Sequence, residues 1–384
     1  MSELLRYAGT LRGGEALVGP RRVQLDLTDR CQGRCVACWN NSPLLPTRPA
    51  REPAVLPTAR VNTLLGELTS CGVEEVFLSG GGEPSLHPDF LPILTRIKAH
   101  GLRCSVNTDL LRYNPWILEE LVCLELDSLT VSLWAGDGPS YAALRQQGRE
   151  AGEACFEQVL RNLETVLEVR ARTPRRLPRV KLYNVVTRRN VEQLGPLYEL
   201  ALRLGVEACE FVPLDPLPGV MDELTLDRAA LQSLERALEL LFLRRHPGLA
   251  DNLDQFLRRL RAPGAGEGRY DASEVVQYPC LAGLFFSRIR ADGSVNYCLK
   301  SGRYPIGSIL EQDFRALWYG EVYAGLRRTA AAGVLPFAES CGRTCDNLDD
   351  HRELARWFDR LDESRQGVAA LMAELGATCG EVGP

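Results

Sequence analysis

Long apolar runs are missing from this chain. Residues Met1 to Leu11 have no apolar core of the kind a secretory signal needs, and none of the 384 residues lies in a stretch that approaches a membrane span. No membrane partner is expected, and the cytoplasm is the expected compartment. No block of one charge occurs either. Asp and Glu number 50 against 45 Lys and Arg, and the arginines are scattered, so the basic footprint of a nucleic-acid binder is absent. Histidine is scarce, with four in the chain, and the nearest to the first group of cysteines is His87. There is no internal repeat and no low-complexity tract. What remains is a soluble globular composition, 45% hydrophobic and 25% charged, which can support a sizeable core.

Cysteine is abundant, at 13 residues, which is many where disulfides rarely persist. Seven fall in two constellations, and six stand alone: Cys71, Cys104, Cys123, Cys155, Cys209 and Cys379. Clustered cysteines in a reducing compartment point to metal ligation or catalysis. Isolated ones inside apolar runs, such as Cys104 and Cys209, are expected to behave as small buried hydrophobes.

Short β-like runs alternate with amphipathic helices between residues 22 and 213. The expected strands are Val23–Leu27, Glu75–Ser79, Leu102–Asn107, Ser128–Leu133, Val180–Val186 and Ala208–Val212. Expected helices include Val61–Thr69, Asp89–Ala99, Leu160–Val169 and Val191–Leu204. Six βα units in series imply an α/β fold with a parallel sheet, and right-handed crossovers curl it toward a partial (βα)6 barrel. Ligands of such sheets bind at the carboxyl ends of the strands. Asn41–Pro57, with five prolines, reads as a long loop of the kind that serves as a lid or binding segment. The divisions expected are an N-terminal extension (1–21), the barrel (22–220), a helical segment with a linker at Ala262–Arg269 (221–269), a cysteine-bearing module (270–350) and a C-terminal helix and tail (351–384).

The first constellation, Cys31-Gln-Gly-Arg-Cys35-Val-Ala-Cys38, puts three thiolates within eight residues directly after the first strand. Three thiolates ligate three irons of a [4Fe–4S] cube and leave the fourth iron open. Zinc is the alternative, although a structural zinc site wants four protein ligands. Ser79-Gly80-Gly81-Gly82-Glu83-Pro84 follows the second strand. This pairing, C-x3-C-x2-C and then a glycine triplet on the next unit, resembles the radical S-adenosylmethionine (SAM) superfamily. The resemblance implies that SAM chelates the open iron. It also implies that Gly80, Gly81, Gly82 and Glu83 let the backbone approach the SAM amino group, a role that suits glycine. Softer matches are Asn107, Ser132, Asn184 and Arg188, at strand ends where relatives offer polar contacts to SAM. The chain departs from its relatives in carrying Ala37 before the third cysteine, where an aromatic or histidine is usual; Trp39 comes after it.

The second constellation is Cys280, Cys298, Cys341 and Cys345. Its C-x12-G-x4-C opening resembles the SPASM extension found behind radical SAM cores. Asp292-Gly293 reads as the turn of a hairpin between Phe285–Arg290 and Ser294–Cys298. Four cysteines fit the shortened "twitch" form with one auxiliary [4Fe–4S] cluster; Cys379 is a minor further candidate, and a four-cysteine zinc knuckle is the alternative. The resemblance implies reductive cleavage of SAM to a 5′-deoxyadenosyl radical that abstracts hydrogen from substrate. Electrons would come from an external donor such as flavodoxin or ferredoxin. Arg188, Glu210 and Lys300 are the candidate catalytic groups, with Arg34 and Asp215 as further polar neighbours. Only about twenty residues precede the first strand, which points to a small-molecule substrate, a polyol, aminocyclitol or sugar oxidised by two electrons. A precursor peptide, cross-linked or epimerised, is the alternative. A zinc-dependent binding module is the remote one.

Overall fold

The computed structural model describes residues 2–46, 52–145, 148–174 and 176–362. The centre of the long loop at 47–51, the tail from 363 onward and Cys379 lie outside the described residues. Ten strands form one sheet: β1 (Arg22–Leu25), β2 (Glu75–Leu78), β3 (Arg103–Thr108), β4 (Ser128–Ser132), β5 (Arg179–Val186), β6 (Ala208–Pro213), β7 (Ala250–Asp251), β8 (Phe286–Ile289), β9 (Ser294–Asn296) and β10 (Gly307–Ser308). From β1 to β7 neighbours pair in chain order and in parallel, so every strand delivers its carboxyl end to the same rim. The six expected strands are β1 to β6, with ends shifted by one or two residues.

The helices are α1 (Ser2–Leu11), α2 (Thr58–Ser70), α3 (Phe90–Ala99), α4 (Pro115–Cys123), α5 (Gly138–Arg145), α6 (Arg149–Ala171), α7 (Leu194–Leu204), α8 (Arg228–Leu243) and α9 (Leu253–Leu260). Beyond them come α10 (Ala282–Phe285), α11 (Phe314–Tyr319), α12 (Glu321–Ala331), α13 (Ala338–Cys341) and α14 (Leu348–Asp362). Among the described residues, no helix is long and apolar enough to cross a membrane.

Strand pleating sorts the side chains into two faces. On β5, Val180, Leu182, Asn184 and Val186 are buried against the helices, while Lys181, Tyr183 and Val185 face the concave side. On α2, Val61, Leu64, Leu65 and Leu68 form the buried stripe that covers the sheet, as their spacing requires. Asn114, with Pro115 behind it, caps α4 by accepting from the Ile117 N–H at 2.9 Å.

The expected hairpin is present, with Gly293 at φ +82° in its turn. Its first strand, β8, pairs in parallel with β1, Arg22 opposite Phe286 and Leu25 opposite Ile289, so the module extends the barrel sheet. A hydrophobic period cannot reveal which edge a strand will join. The stretch Ala262–Arg269, read as a linker, is instead a packed turn closed by a Gly264–Arg269 bridge, with Ala265 buried. Before β1, α1 inserts Arg6 into the protein. Its guanidinium donates to Gly19 O, Gly72 O and Glu74 Oε1 at 2.6–3.0 Å and so fastens the N-terminal segment to the barrel floor.

Candidate active site

The loop after β1 folds its three cysteines around backbone donors. Gly33 N–H points at Cys31 Sγ from 3.3 Å, and the N–H groups of Asn40 and Asn41 point at Cys38 Sγ from 3.4 and 3.3 Å. Arg145 Nη1 lies 2.7 Å from Cys35 Sγ. Burial pushes the Cys31 thiol up to about 12, and it raises Cys38 too. Bare thiolates are disfavoured in this pocket, whereas donors aimed at sulfur and a buried guanidinium suit sulfurs that carry negative charge on bound iron. The residues therefore fit a [4Fe–4S] cluster. Each thiolate of such a cube binds its own iron, so the sulfurs stand further apart than around one ion. Among the described residues no three Cys, His, Asp or Glu side chains converge closely enough to hold a single metal ion.

Arg145 was not anticipated. It is 4% exposed, reaches Ser132 O as well as Cys35, and lies 4.9 Å from the Trp134 ring and 5.1 Å from that of Tyr141. The available signal was a charged residue on the apolar face of a helix, four positions after Tyr141. Trp134, just past β4, sits at φ +71°, and Leu110, just past β3, at φ +58°. Such strain in ordinary residues gathers at functional sites.

The glycine triplet packs on the cysteine loop itself. A Cβ on Gly80 (φ +109°) would lie 1.7 Å from Asp26 Oδ1, one on Gly81 2.0 Å from Asp29 Oδ1, and one on Gly82 2.0 Å from Arg30 O. The close approach that demands glycine here is to the residues leading into Cys31. Glu83 is buried, and its carboxylate accepts from Thr108 Oγ1 at 2.8 Å, Ser85 Oγ at 2.9 Å and the Asp109 N–H at 3.0 Å. It ties the ends of β2 and β3 together rather than facing open space. Burial, with the charge of Asp109 behind it, raises its pKa to about 7.

The other expected contacts divide by the pleat. Asn107 and Ser132 share a hydrogen bond at 3.1 Å, and Asn107 lines the concave cavity. Asn184 does not open to that cavity. It lies on the helix-facing side of β5, fully buried, accepting from the Trp134 N–H at 3.1 Å and donating to Glu210 O at 3.2 Å. Arg188 is exposed beyond the end of β5 and pairs with Asp227 at 3.5 Å, away from the cavity. Arg34 is also exposed. Glu210 does face the cavity, in an ion pair with Lys181 at 3.0 Å.

The four module cysteines come from three separate segments, yet Cys280 lies within electrostatic reach of Cys298, Cys345 and Cys341. Burial raises all four, Cys298 and Cys345 to about 12. Asp271, itself fully buried, holds the Cys345 N–H at 2.6 Å and the Arg259 guanidinium at 2.8 and 2.9 Å. Lys300, two residues past Cys298, is ion-paired with Asp215, bonded to Thr344 Oγ1 at 3.0 Å and stands 3.8 Å from Asp346. Desolvation works to lower its pKa, but these carboxylates outweigh it and the balance is upward. Its two carboxylate neighbours thus favour the charged form. Between the two cysteine sets runs a cavity of about 670 Å³, with Cys38, Gly80 and Asn107 at one part of its wall and Lys300, Cys345 and Asp346 at another. Of the isolated cysteines, Cys104 and Cys209 are fully buried, as expected.

Comparison with known proteins agrees with this geometry. Residues 25–201 match the radical SAM superfamily. The AdoMet-dependent heme synthase of Methanosarcina barkeri is 28% identical over 320 residues, 80% of this chain and 85% of that protein. The mycofactocin maturase MftC of Mycolicibacterium smegmatis is 26% identical over 332 residues, 85% of this chain and 76% of the maturase. Among solved structures, Streptococcus suis SuiB bound to S-adenosylmethionine superimposes with a TM-score of 0.62 at 16% identity, covering 90% of this chain and 77% of SuiB. These likenesses do not support the polyol or sugar substrate expected from the sequence.

Proposed function

Because residues 25–201 form a domain of the radical SAM superfamily, we propose that the protein is a radical SAM maturase acting on a peptide, with a SAM-binding cluster on Cys31, Cys35 and Cys38 and an auxiliary cluster on Cys280, Cys298, Cys341 and Cys345. When bound, the cluster and SAM would supply radical chemistry, drawing one electron from an external donor. The protein's own part is positioning. Arg145 and the backbone donors at Gly33, Asn40 and Asn41 steady the sulfurs, while Glu83 fixes the loop after β2. The observation that carries the reading is the shared cavity, whose wall includes both Cys38 and Cys345, so one substrate can lie between the two sites. Its charged lining, Lys181 and Glu210 on the barrel side and Asp346 and Asp349 on the module side, suits an occupant with polar groups along its length. The likeness to MftC over most of both chains favours a peptide as that occupant. The likeness to the heme synthase supports a second reading, a non-peptide substrate.

The test is an anaerobic assay of reconstituted enzyme with dithionite, SAM and any short peptide found to be encoded beside the gene. Mass spectrometry should show a modified peptide formed with 5′-deoxyadenosine. If 5′-deoxyadenosine forms but is coupled only to a non-peptide metabolite, the peptide reading falls and the radical SAM chemistry stands.

A further inference from the structure

Lys300 is 5% exposed, charged, and held on several sides, so its work lies in what it connects. Around it, four side chains from four segments meet. Trp39, the residue after Cys38, donates its indole N–H to Asp215 O at 2.9 Å. The Asp215 carboxylate pairs with Lys300 and with Arg343, whose Nε lies 2.8 Å from Oδ1. Both cations also stand over the Trp39 ring, Lys300 at 4.9 Å and Arg343 at 5.9 Å from its centroid. Arg343 adds a bond to Pro216 O at 3.1 Å. Lys300 belongs to the segment carrying Cys298, Arg343 stands between Cys341 and Cys345, and Asp215 follows β6. Every segment of the brace except that of Asp215 carries cysteines.

We propose that Trp39, Asp215, Lys300 and Arg343 are positioning residues that lock the two cysteine loops into one unit, so that the loop carrying Cys38 takes its position from the loops carrying Cys298, Cys341 and Cys345. Two cations share one buried carboxylate and one aromatic face. Removing the carboxylate costs Arg343 its ion pair and leaves Lys300 only the longer carboxylate contact, to Asp346 at 3.8 Å, which is costly out of water and is relieved by movement of a loop. A substrate in the cavity touches Trp39 and Lys300 together, so it meets both loops through the same brace. The brace is made of protein atoms alone.

The experiment is hydrogen exchange on the full-length reconstituted enzyme, read for the peptides 31–41, 298–304 and 341–347. Asp215→Asn and Lys300→Met should each speed exchange in 31–41 by about tenfold, because members of one buried network couple energetically. Trp39→Phe should speed exchange in 298–304 and 341–347, far along the chain from the change. Lys300→Arg, which keeps the cation, should restore the wild-type pattern, and the reduction midpoint of the SAM-binding cluster should move in Lys300→Met and return in Lys300→Arg. Arg149→Ala, in an exposed ion pair with Glu153, serves as the control and should leave all three peptides unchanged. Exchange confined to the mutated residue's own loop overturns the proposal, as does a rise that the control shares. Should Asp215→Asn fail to fold, Trp39→Phe and Lys300→Met carry the same decision. Iron, sulfide and SAM cleavage are measured on the same samples: protein without clusters would end the functional reading while the exchange comparison still decides the brace.

Discussion

The two cysteine sites are built in opposite ways. Cys31, Cys35 and Cys38 lie within eight residues, and their loop is shaped by its own backbone donors and by the glycine triplet of the next unit. Cys280, Cys298, Cys341 and Cys345 are spread over 66 residues and are gathered by tertiary structure: the β8–β9 hairpin, the short helix α13, and Asp271 holding the Cys345 N–H. The first site is local in sequence and the second is not. Apart from the brace at Trp39 and the contact of Arg145 with Cys35, a local site should tolerate damage elsewhere in the fold, while an assembled one should fail when any of its struts is removed.

The largest effect tests the local site. Replacing Cys31, Cys35 and Cys38 together by Ala should abolish 5′-deoxyadenosine formation from SAM and dithionite and lower iron from about eight to about four per chain. Residual cleavage at the wild-type rate would mean that the cluster acting on SAM is elsewhere. Tight stoichiometric zinc without sulfide in the wild type would remove the iron reading altogether.

The assembled site is tested by single changes. Cys280→Ser or Cys345→Ser should cost about four irons per chain, stop product formation and spare uncoupled SAM cleavage. Asp271→Asn, which alters no cysteine, should also lower auxiliary iron. It weakens the grip on Arg259 and on the Cys345 backbone, and breaking a buried pair costs about 3–5 kcal/mol. Full auxiliary iron in Asp271→Asn would mean that the four cysteines hold their arrangement unaided.

A third change joins the two regions. Gly80→Ala forces a side chain into φ +109° and places its Cβ 1.7 Å from Asp26, whose carboxylate pairs with Arg288 of β8 at 2.6 Å. Strain of about 1–3 kcal/mol adds to partial loss of that buried pair, for a total of about 4 kcal/mol by denaturant unfolding. SAM affinity should fall with it. An unchanged unfolding midpoint would show that the loop after β2 shifts freely and that the packing on Asp26 is not required.

These contrasts explain what the sequence could disclose. The six barrel strands and the first cysteine loop were legible because alternation, spacing and glycine chemistry act over a few residues. The face of each strand-end residue was not. Asn184 lies one position off the cavity-facing set, and β pleating turns a shift of one residue into the opposite face. Arg188 lies beyond the strand, where no period places it. The ion pairing of Lys300 left no local mark, because its partners Asp215 and Thr344 are 85 and 44 residues away. Arg145 left only a charge on an apolar helix face, and the parallel pairing of β8 with β1 left no local mark at all.

The smallest effect concerns Glu83, the carboxyl group that ties the local site to β3. Burial, reinforced by Asp109, raises its pKa to about 7, against an ordinary 4.5. Between those values the folded chain keeps a proton that the unfolded chain has released. The folded state then binds more protons, so this group's stabilising contribution is complete below pH 4.5 and is lost as pH rises through 7. The ceiling is roughly 3 kcal/mol, since each tenfold change in proton affinity is worth about 1.4 kcal/mol. Glu83→Gln keeps one carbonyl acceptor, enough for Thr108 or the Asp109 N–H but not for both, and cannot ionise. The useful quantity is the stability of the wild type minus that of Glu83→Gln, because titrating groups other than Glu83 and its neighbour Asp109 cancel in it. That difference should fall between pH 5 and pH 7.5 in urea unfolding, and SAM-binding affinity in the wild type should fall over the same interval more than in the variant. A flat difference would mean that Glu83 titrates normally, with Thr108, Ser85 and the Asp109 N–H stabilising its charge as fully as water does.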